Sequence, residues 1–414
     1  MRRVGFKGAL GLVALAAAAI RIFHAVYVAP HPTGLGDGVW FEFVGTNLAK
    51  GYGFVVPHGS VFSKAFHQTA TAEHPPLYPL ALAAAIKLGI TANTALRALG
   101  ALFGTVTVVA LGLLGRRVGG RAVGLAAAAI AAVHPLLIAA DGALLSETLY
   151  GAILSLTLLA AWRLQEAPTP GRAALVGAGI GLAALTRSEA ALLVFLLALP
   201  VALRGRRPWL HAGVATLATV VVLAPWVGRN WIVFGHPLLS NNDGLVVADT
   251  NCHRTYHGRS LGFLVLACTG RQTGNEARDS ARWLREGARY AGDHAGRVPV
   301  VAAVRLLRAW NLYQPFRSAR EEGRSANVQK AGIVFYYLLL IPAAVGLVLL
   351  RRERIPLLVL LAPAALASVE AILTYGSVRL RFPGDLSIVI LAAAGLVGSA
   401  RRLRVRPGRA AVSA

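Results

Sequence analysis

Apolar stretches of roughly twenty residues recur along this chain, parted by short arginine clusters, and no other feature constrains its fold as strongly. The first runs from about Leu10 to Ala29. Others follow at about 96–115, 121–140, 147–163, 172–186, 188–203, 208–226, 331–350, 355–375 and 385–400. Inside hydrocarbon, a segment must bond its own backbone, and helices do this within one segment. The expectation is an all-α polytopic membrane protein. Composition agrees: 56% of the 414 residues are hydrophobic and 14% charged, with mean hydropathy +0.59, against about 25% charged in soluble domains.

A net charge of +24 raises the question of nucleic acid. The distribution answers it. Arg116-Arg117, Arg204 to Arg207, Arg351 to Arg354 and Arg401 to Arg406 all fall between apolar runs, as cytoplasmic loops require under the positive-inside rule. No nucleic-acid partner is expected. The excess of arginine over lysine, with abundant alanine, suggests a GC-rich bacterial genome.

Charge parity sets the topology. The first run follows Arg2, Arg3 and Lys7, lacks a clean small-x-small cleavage site, and reads as an anchor. With the N-terminus inside, residues 30–74 lie outside. If 75–90 crossed the membrane, Arg116-Arg117-Arg121 and the clusters at 163–172 and 204–207 would land outside. If 75–90 lies on the surface, all fall inside. The segment is short and contains Lys87, which suits an interfacial helix. The expected architecture has about ten transmembrane helices and both termini cytoplasmic. It divides into a seven-span module at 1–226 with an extracytoplasmic loop at 30–95, a large extracytoplasmic loop at 227–330, and three spans plus a basic tail at 331–414.

In the large loop, helices are expected over Glu276 to Ala295, with Ala277, Ala281, Leu284 and Ala288 on one face, and over Val298 to Leu312, which suits the interface. The chain's two cysteines, Cys252 and Cys268, both lie in this loop. Outside the cytoplasm a disulfide is permitted. The bridge is preferred over two unpaired thiols, and closing that loop would stabilise it by ~3 kcal/mol in the chain-entropy model. Cys252 and Cys268 with His253 and His257 lack the spacing of a zinc site.

Acidic residues are scarce, so their positions carry information. Asp37, Glu42 and Glu73 fall outside near the membrane, and Asp141 and Glu147 flank the outer end of one span. Arg187 and Glu189 share the outer turn of the next hairpin. Each has a plain reading: Asp37 as cap of a helix from Val39 to Lys50, Glu147 at a helix start, Arg187 and Glu189 as an ion pair. Arg379 and Arg381 are the stronger anomaly. Two arginines outside, against the topological bias, point to an anion, and guanidinium binds phosphate bidentately. Polar groups gathered at one face fit a transferase or a vestibule. Spans that look clean in the middle argue against the alternative, a transporter or flippase of a lipid-linked sugar.

The chain resembles the GT-C membrane glycosyltransferases, in the bacterial branch related to dolichyl-phosphate-mannose protein mannosyltransferases and aminoarabinose transferases. The resemblance rests on Asp37 with Asn47-Leu48 and Gly51-Tyr52-Gly53-Phe54, then His74-Pro75-Pro76-Leu77-Tyr78-Pro79, Ser146-Glu147-Thr148-Leu149-Tyr150 and Leu185-Thr186-Arg187-Ser188-Glu189. Pro225-Trp226, Arg229-Asn230-Trp231, Phe234-Gly235 and Arg379-Leu380-Arg381-Phe382-Pro383 complete it. Asp37 departs from the family by lacking an adjacent second acid, since Gly38 follows it. The resemblance implies inverting, extracytoplasmic transfer of a hexosyl or pentosyl group from a polyprenyl-phosphate donor in the inner (plasma) membrane. Asp37 would be the general base. Glu147, with Glu73, His74 and Glu189, would serve the acceptor or donor site. Arg187, Arg379 and Arg381 would bind the lipid phosphate. Partners would be the lipid-linked sugar, membrane lipid and an acceptor glycan, lipid or protein. No cofactor and no metal is expected.

Overall fold

A computed structural model describes residues 5–29, 36–58, 67–270, 273, 275–317 and 324–404. Arg2 and Arg3, the start of the first loop at 30–35, and the basic tail beyond residue 404 lie outside the described residues.

Helix α1, Phe6–Phe23, continues as a π-helical turn, His24–Val28. Helix α2, Asp37–Ala49, is followed by a hairpin of β1, Val55–His58, and β2, His67–Ala70, which no apolar pattern announced. Helix α3, Leu77–Lys87, comes next. Helix α4, Asn93–Val133, folds back on itself at Gly119-Gly120, and α5, Pro135–Asp141, extends its returning arm. The bundle continues with α6, Glu147–Glu166, and α7, Pro170–Ala184. A 3-10 turn, Ser188–Leu192, a π turn, Val194–Ala198, and α8, Leu199–Ala202, make one apolar rod, and α9, Pro208–Phe234, follows. The large loop after α9 holds α10, Asn242–Thr250, α11, His253–Tyr256, α12, Glu276–Asp293, and α13, Val298–Ala309. Helices α14, Ala326–Arg352, α15, Leu358–Leu373, and α16, Phe382–Arg404, close the chain.

Among the described residues, five helical segments are long and apolar enough to cross a membrane: Phe6–Val28, Asn93–Val133, Pro208–Phe234, Ala326–Arg352 and Phe382–Arg402. This is a multi-pass membrane protein. Helix α3 is only 11 residues long, about 16 Å at 1.5 Å per residue, half of a hydrocarbon core of about 30 Å. It packs its Leu82 side against Gly45 of α2, where an added Cβ would meet Leu82 Cβ at 2.9 Å.

Small residues set the helix spacing, as they do where lipid offers no hydrophobic drive for association. The α4 hairpin turns at Gly120, whose φ of +85° favours glycine. Farther along, a Cβ at Gly100 would lie 1.9 Å from the Asp141 carbonyl oxygen. The bundle has two distinct ends. Arg116 lies over the Phe6 ring, and Arg117 pairs with Glu166. Asp37, Glu147, Arg187 and Arg379 meet at the opposite end.

Four expectations change. The spans are not all clean: Arg21 of α1 is buried, donates through Nε to Asp141 Oδ2 at 2.6 Å, and caps the carbonyls of Ala131 and Ala132 at 2.9 and 3.0 Å. A charge is tolerated there because protein groups enclose it. Asp37 begins its helix but caps nothing, since Gly36 is the cap residue and has no side chain to bond. On α12 the buried face is Ala277, Ser280, Trp283 and Gly287, while Leu284 and Ala288 are exposed. Close packing on α10 selects that face: a Cβ at Gly287 would lie 2.5 Å from the Val247 carbonyl oxygen. On α13 the arginines face inward. Arg305 donates to the carbonyls of Thr250 and Ile372, and Arg308 donates to Leu261 O at 2.7 Å with its guanidinium 3.7 Å above the Phe263 ring. Arg305 and Arg308 are both buried and bonded to protein carbonyls, so the polar face of α13 turns away from water.

Candidate active site

The site is assembled from turns at one end of the bundle. Asp37 opens α2. His74 precedes the Pro75-Pro76 start of α3, and Leu77 N donates to Leu185 O at 2.8 Å, which docks that start onto the turn carrying Arg187. Arg379 comes from the turn between α15 and α16, where its backbone N–H bonds Ser377 Oγ at 3.1 Å. The large loop is stapled to the same region. Arg229 donates to Thr71 O at 2.9 Å, Ser240 Oγ to Glu73 O at 2.6 Å, and Glu276 Oε2 accepts from Ala72 N at 2.9 Å.

A chain of ion pairs runs through the site. Arg379 Nη2 is 2.6 Å from Asp37 Oδ2, and its Nε donates to Glu147 Oε1. Glu147 Oε1 also meets Arg187 at 3.3 Å and Arg324 at 3.5 Å. Arg187 in turn pairs with Glu189, and with Glu370 at 3.2 Å. On the far side of Asp37, His74 Nε2 is 3.8 Å from Oδ1. A cavity of about 360 Å³ opens against this chain, within the usual size range of small-ligand sites. Asp37, His74, Arg187, Glu189 and Arg379 line it, together with Ser240, Asn242, Asp243 and Val246 of the large loop.

The structure sorts the sequence candidates. Asp37, His74, Arg187, Glu189 and Arg379 border the cavity. Glu147 is fully buried behind them and clamps the arginines rather than facing the cavity. Glu73 is not among the lining residues, and burial pushes its carboxyl above the ordinary value. Arg381 is the clear miss. Its buried side chain bonds Asp385 at 2.9 Å and lies 3.7 Å over the Tyr336 ring, away from the cavity. Arg379 and Arg381 sit on one tight turn, and only the first points into the site. Cys252 and Cys268 are joined, with sulfurs 2.06 Å apart, in the stretch that follows α10.

Two further acids, Glu370 and Asp243, line the cavity without standing among the sequence candidates. Glu370 lay inside the apolar run 355–375, where a lone carboxylate was itself a signal. Asp243 lay in the polar stretch Ser240 to Gly244, which reads as loop.

Electrostatics separate these carboxyls. Burial alone would raise the Asp37 carboxyl, but Arg379, and after it His74, hold it below the ordinary carboxylate value. Asp243 opens on the cavity yet is hemmed in by protein. That desolvation, with the Glu189 charge second, pushes it up to about 6. Among the described residues, no three His, Cys, Asp or Glu side chains converge on a point that would hold a metal. Asp37, Glu147, Glu189 and Glu370 are each engaged by a guanidinium instead. The arrangement offers four cavity-lining carboxyls, Asp37, Glu189, Asp243 and Glu370, beside two arginines, Arg187 and Arg379, that can meet an anion.

Residues 73–228 match the family described as dolichyl-phosphate-mannose-protein mannosyltransferase. No curated protein matches the chain by sequence. The oligosaccharyltransferase of Archaeoglobus fulgidus tethered with an acceptor peptide superposes with a TM-score of 0.58 at 13% identity, over 98% of this chain and 50% of that one. The same archaeal enzyme, AglB, in complex with an inhibitory peptide and a dolichol-phosphate, gives 0.55 at 15% identity, over 99% and 52%. The chain has the GT-C fold. It spans about half the length of those archaeal transferases. ArnT from Cupriavidus metallidurans bound to undecaprenyl phosphate aligns over 95% of this chain and 79% of its own, at 17% identity and a TM-score of 0.42.

Proposed function

We propose that this protein is an integral-membrane glycosyltransferase of bacterial origin. It moves a hexosyl or pentosyl group from a polyprenyl-phosphate carrier to an acceptor hydroxyl, with inversion, on the extracytoplasmic face of the inner membrane. Both termini are then cytoplasmic, residues 1–226 form the catalytic module, and 227–330 cover the acceptor side. The observation that carries this reading is the shared position of Asp37 and Arg379, in contact at 2.6 Å on one cavity wall of a GT-C bundle. The dolichol-phosphate bound by AglB supports a lipid phosphate as carrier.

In this mechanism Asp37 removes the acceptor proton as its oxygen attacks the sugar's anomeric carbon. The bond to the carrier phosphate breaks on the opposite face. Arg379 and Arg187 meet the charge that grows on the leaving phosphate. In the resting site Arg379 spends Nε and Nη2 on Glu147 and Asp37. An arriving phosphate competes with Asp37 for this guanidinium, so donor binding loosens the base just where it is needed. Glu147 keeps both arginines in place from behind.

The test is release of polyprenyl phosphate by purified protein offered a panel of polyprenyl-phosphate hexoses and pentoses. The reading expects release from at least one donor, and release slowed by roughly a hundred- to ten-thousand-fold with Asp37→Asn. Wild-type protein inert toward the whole panel rejects it.

A further inference from the structure

The two oxygens of Asp37 face different partners. Oδ2 is held by Arg379 at 2.6 Å, and Oδ1 looks toward His74 Nε2 at 3.8 Å. That nitrogen is buried and has no hydrogen-bond partner. Leaving a polar atom so is costly and uncommon in a folded protein, so it calls for a reason. The ring is not loose. Its edge meets Trp40, with centroids 4.8 Å apart, and it tilts on Phe41 at 5.0 Å. Phe41 is itself fixed against Tyr78 at 5.0 Å. An aromatic slot therefore aims an unpaired nitrogen at the oxygen of Asp37 that Arg379 does not use.

The proposed chemistry leaves a difficulty at this spot. A carboxylate gripped by a guanidinium holds an added proton poorly, and Asp37 is the carboxylate expected to receive one. Imidazole is the side chain whose ordinary titration falls near neutral pH.

We infer that His74 takes over the acceptor's proton from Asp37, through Oδ1 and Nε2, and so acts as the positioning and proton-holding partner of the base. This rests on the reading of Asp37 as general base. In the step, the acceptor O–H bond breaks as its oxygen bonds the sugar's anomeric carbon, and the carrier phosphate leaves with the electrons of the old glycosidic bond. The proton passes to Asp37 Oδ1 and on to His74 Nε2, which begins as the neutral ring with its hydrogen on Nδ1. The imidazolium later returns the proton to solvent. A separation of 3.8 Å is beyond a hydrogen bond, and closing it takes about 1 Å of movement, ordinary for catalytic contacts that tighten only with substrate bound. The charged groups facing the ring are Asp37 from α2, Glu73 next to it in the chain, Glu276 of α12 beyond Glu73, and Arg379 beyond Asp37. The nearest, Asp37 and Glu73, are acids suited to an imidazolium.

The decisive measurement is the pH profile of kcat/KM with a polyprenyl-phosphate hexose. Wild type should show an acidic limb, because the ring must be neutral to accept the proton. His74→Gln should lose that limb and about 100-fold in kcat, with the donor KM unchanged. An unchanged limb and rate in His74→Gln overturns the inference. So does a raised donor KM at constant kcat, which would make His74 a donor ligand. Should His74→Gln fail to fold, a wild-type profile without the limb overturns it equally. A second readout needs no turnover. In the ring-proton NMR titration of detergent-purified protein, one histidine midpoint should move to lower pH in Asp37→Asn. Identical midpoints in all rings would show that the pair does not exist, whereas wild-type protein that turns over no donor refutes the transferase reading instead.

Discussion

Arg379 holds Asp37 Oδ2 at 2.6 Å with one nitrogen and Glu147 with another, although Glu147 is fully buried and Asp37 opens on the cavity. One guanidinium thus ties a cavity-facing acid to a buried anchor. Removing either acid should therefore have different consequences.

Asp37→Asn keeps the size of the side chain and removes the proton acceptor. Transfer should fall by roughly a hundred- to ten-thousand-fold, while binding of the donor, measured directly, stays the same or tightens because Arg379 is released. Near-normal turnover in this variant would end the role given to Asp37.

Arg379→Ala and Arg381→Ala should part company. The first removes a charge that faces the cavity, so donor affinity should drop. The second strands the buried Asp385 that Arg381 bonds at 2.9 Å, and breaking such a pair typically costs about 3–5 kcal/mol. Thermal unfolding should register Arg381→Ala strongly, and the fraction that stays folded should bind donor normally. Equal donor affinities in the two variants would contradict the placement of Arg379.

How much of this is legible in the sequence follows from what each signal measures. Hydropathy reports burial in lipid, so the runs at 208–226 and 331–350 foretell α9 and α14 to within a turn or two. Charge parity marks the ends of the spans, which is why Asp37, Arg187 and Arg379 can be assigned to one end without coordinates. Direction within a turn is another matter. Arg379 and Arg381 carry the same charge two residues apart, and only the backbone path of Ser377–Arg381 separates a cavity wall from an interior ion pair. The buried face of α12 is equally hidden, because Gly287 and Gly244 choose it through close approach rather than through hydrophobicity. Glu370 was visible as a lone acid in an apolar run, but its partner Arg187 is remote in sequence.

The two ends of the bundle predict labelling sides. A single cysteine at position 116 or 204 should react with an impermeant maleimide only in inverted vesicles, since both positions lie away from the Asp37 cavity. Labelling of either from the periplasmic side of intact cells would reverse the topology.

Reduction should weaken the large loop. Cys252 and Cys268 are 16 residues apart and joined, a closure that stabilises by about 3 kcal/mol in the chain-entropy model. Dithiothreitol should lower the unfolding temperature of wild type and leave Cys252→Ser/Cys268→Ser unaffected. Free thiols found by mass spectrometry in unreduced protein from an oxidising compartment would reject the bridge.

Asp243 gives a pH test whose sign differs from that of Asp37. Its carboxyl is raised to about 6, through desolvation first and the Glu189 charge second, from an unfolded value of about 3.9. A group raised on folding favours the folded state when protonated. Its contribution is complete below about pH 4 and is lost as pH rises through 6. Asp243→Asn removes the carboxylate that must otherwise ionise against Glu189. The variant should match wild type near pH 4 and unfold at a higher temperature than wild type at pH 7.5, with the gap opening between those values. Asp37 is lowered on folding and behaves oppositely: Asp37→Asn should cost most stability at neutral pH and least in acid. Melting curves decide the matter, taken between pH 4 and 7.5 for Asp243→Asn and below about pH 4, where the Asp37 contribution is lost, for Asp37→Asn; a constant gap for Asp243→Asn would mean that its carboxyl feels neither the cavity wall nor Glu189.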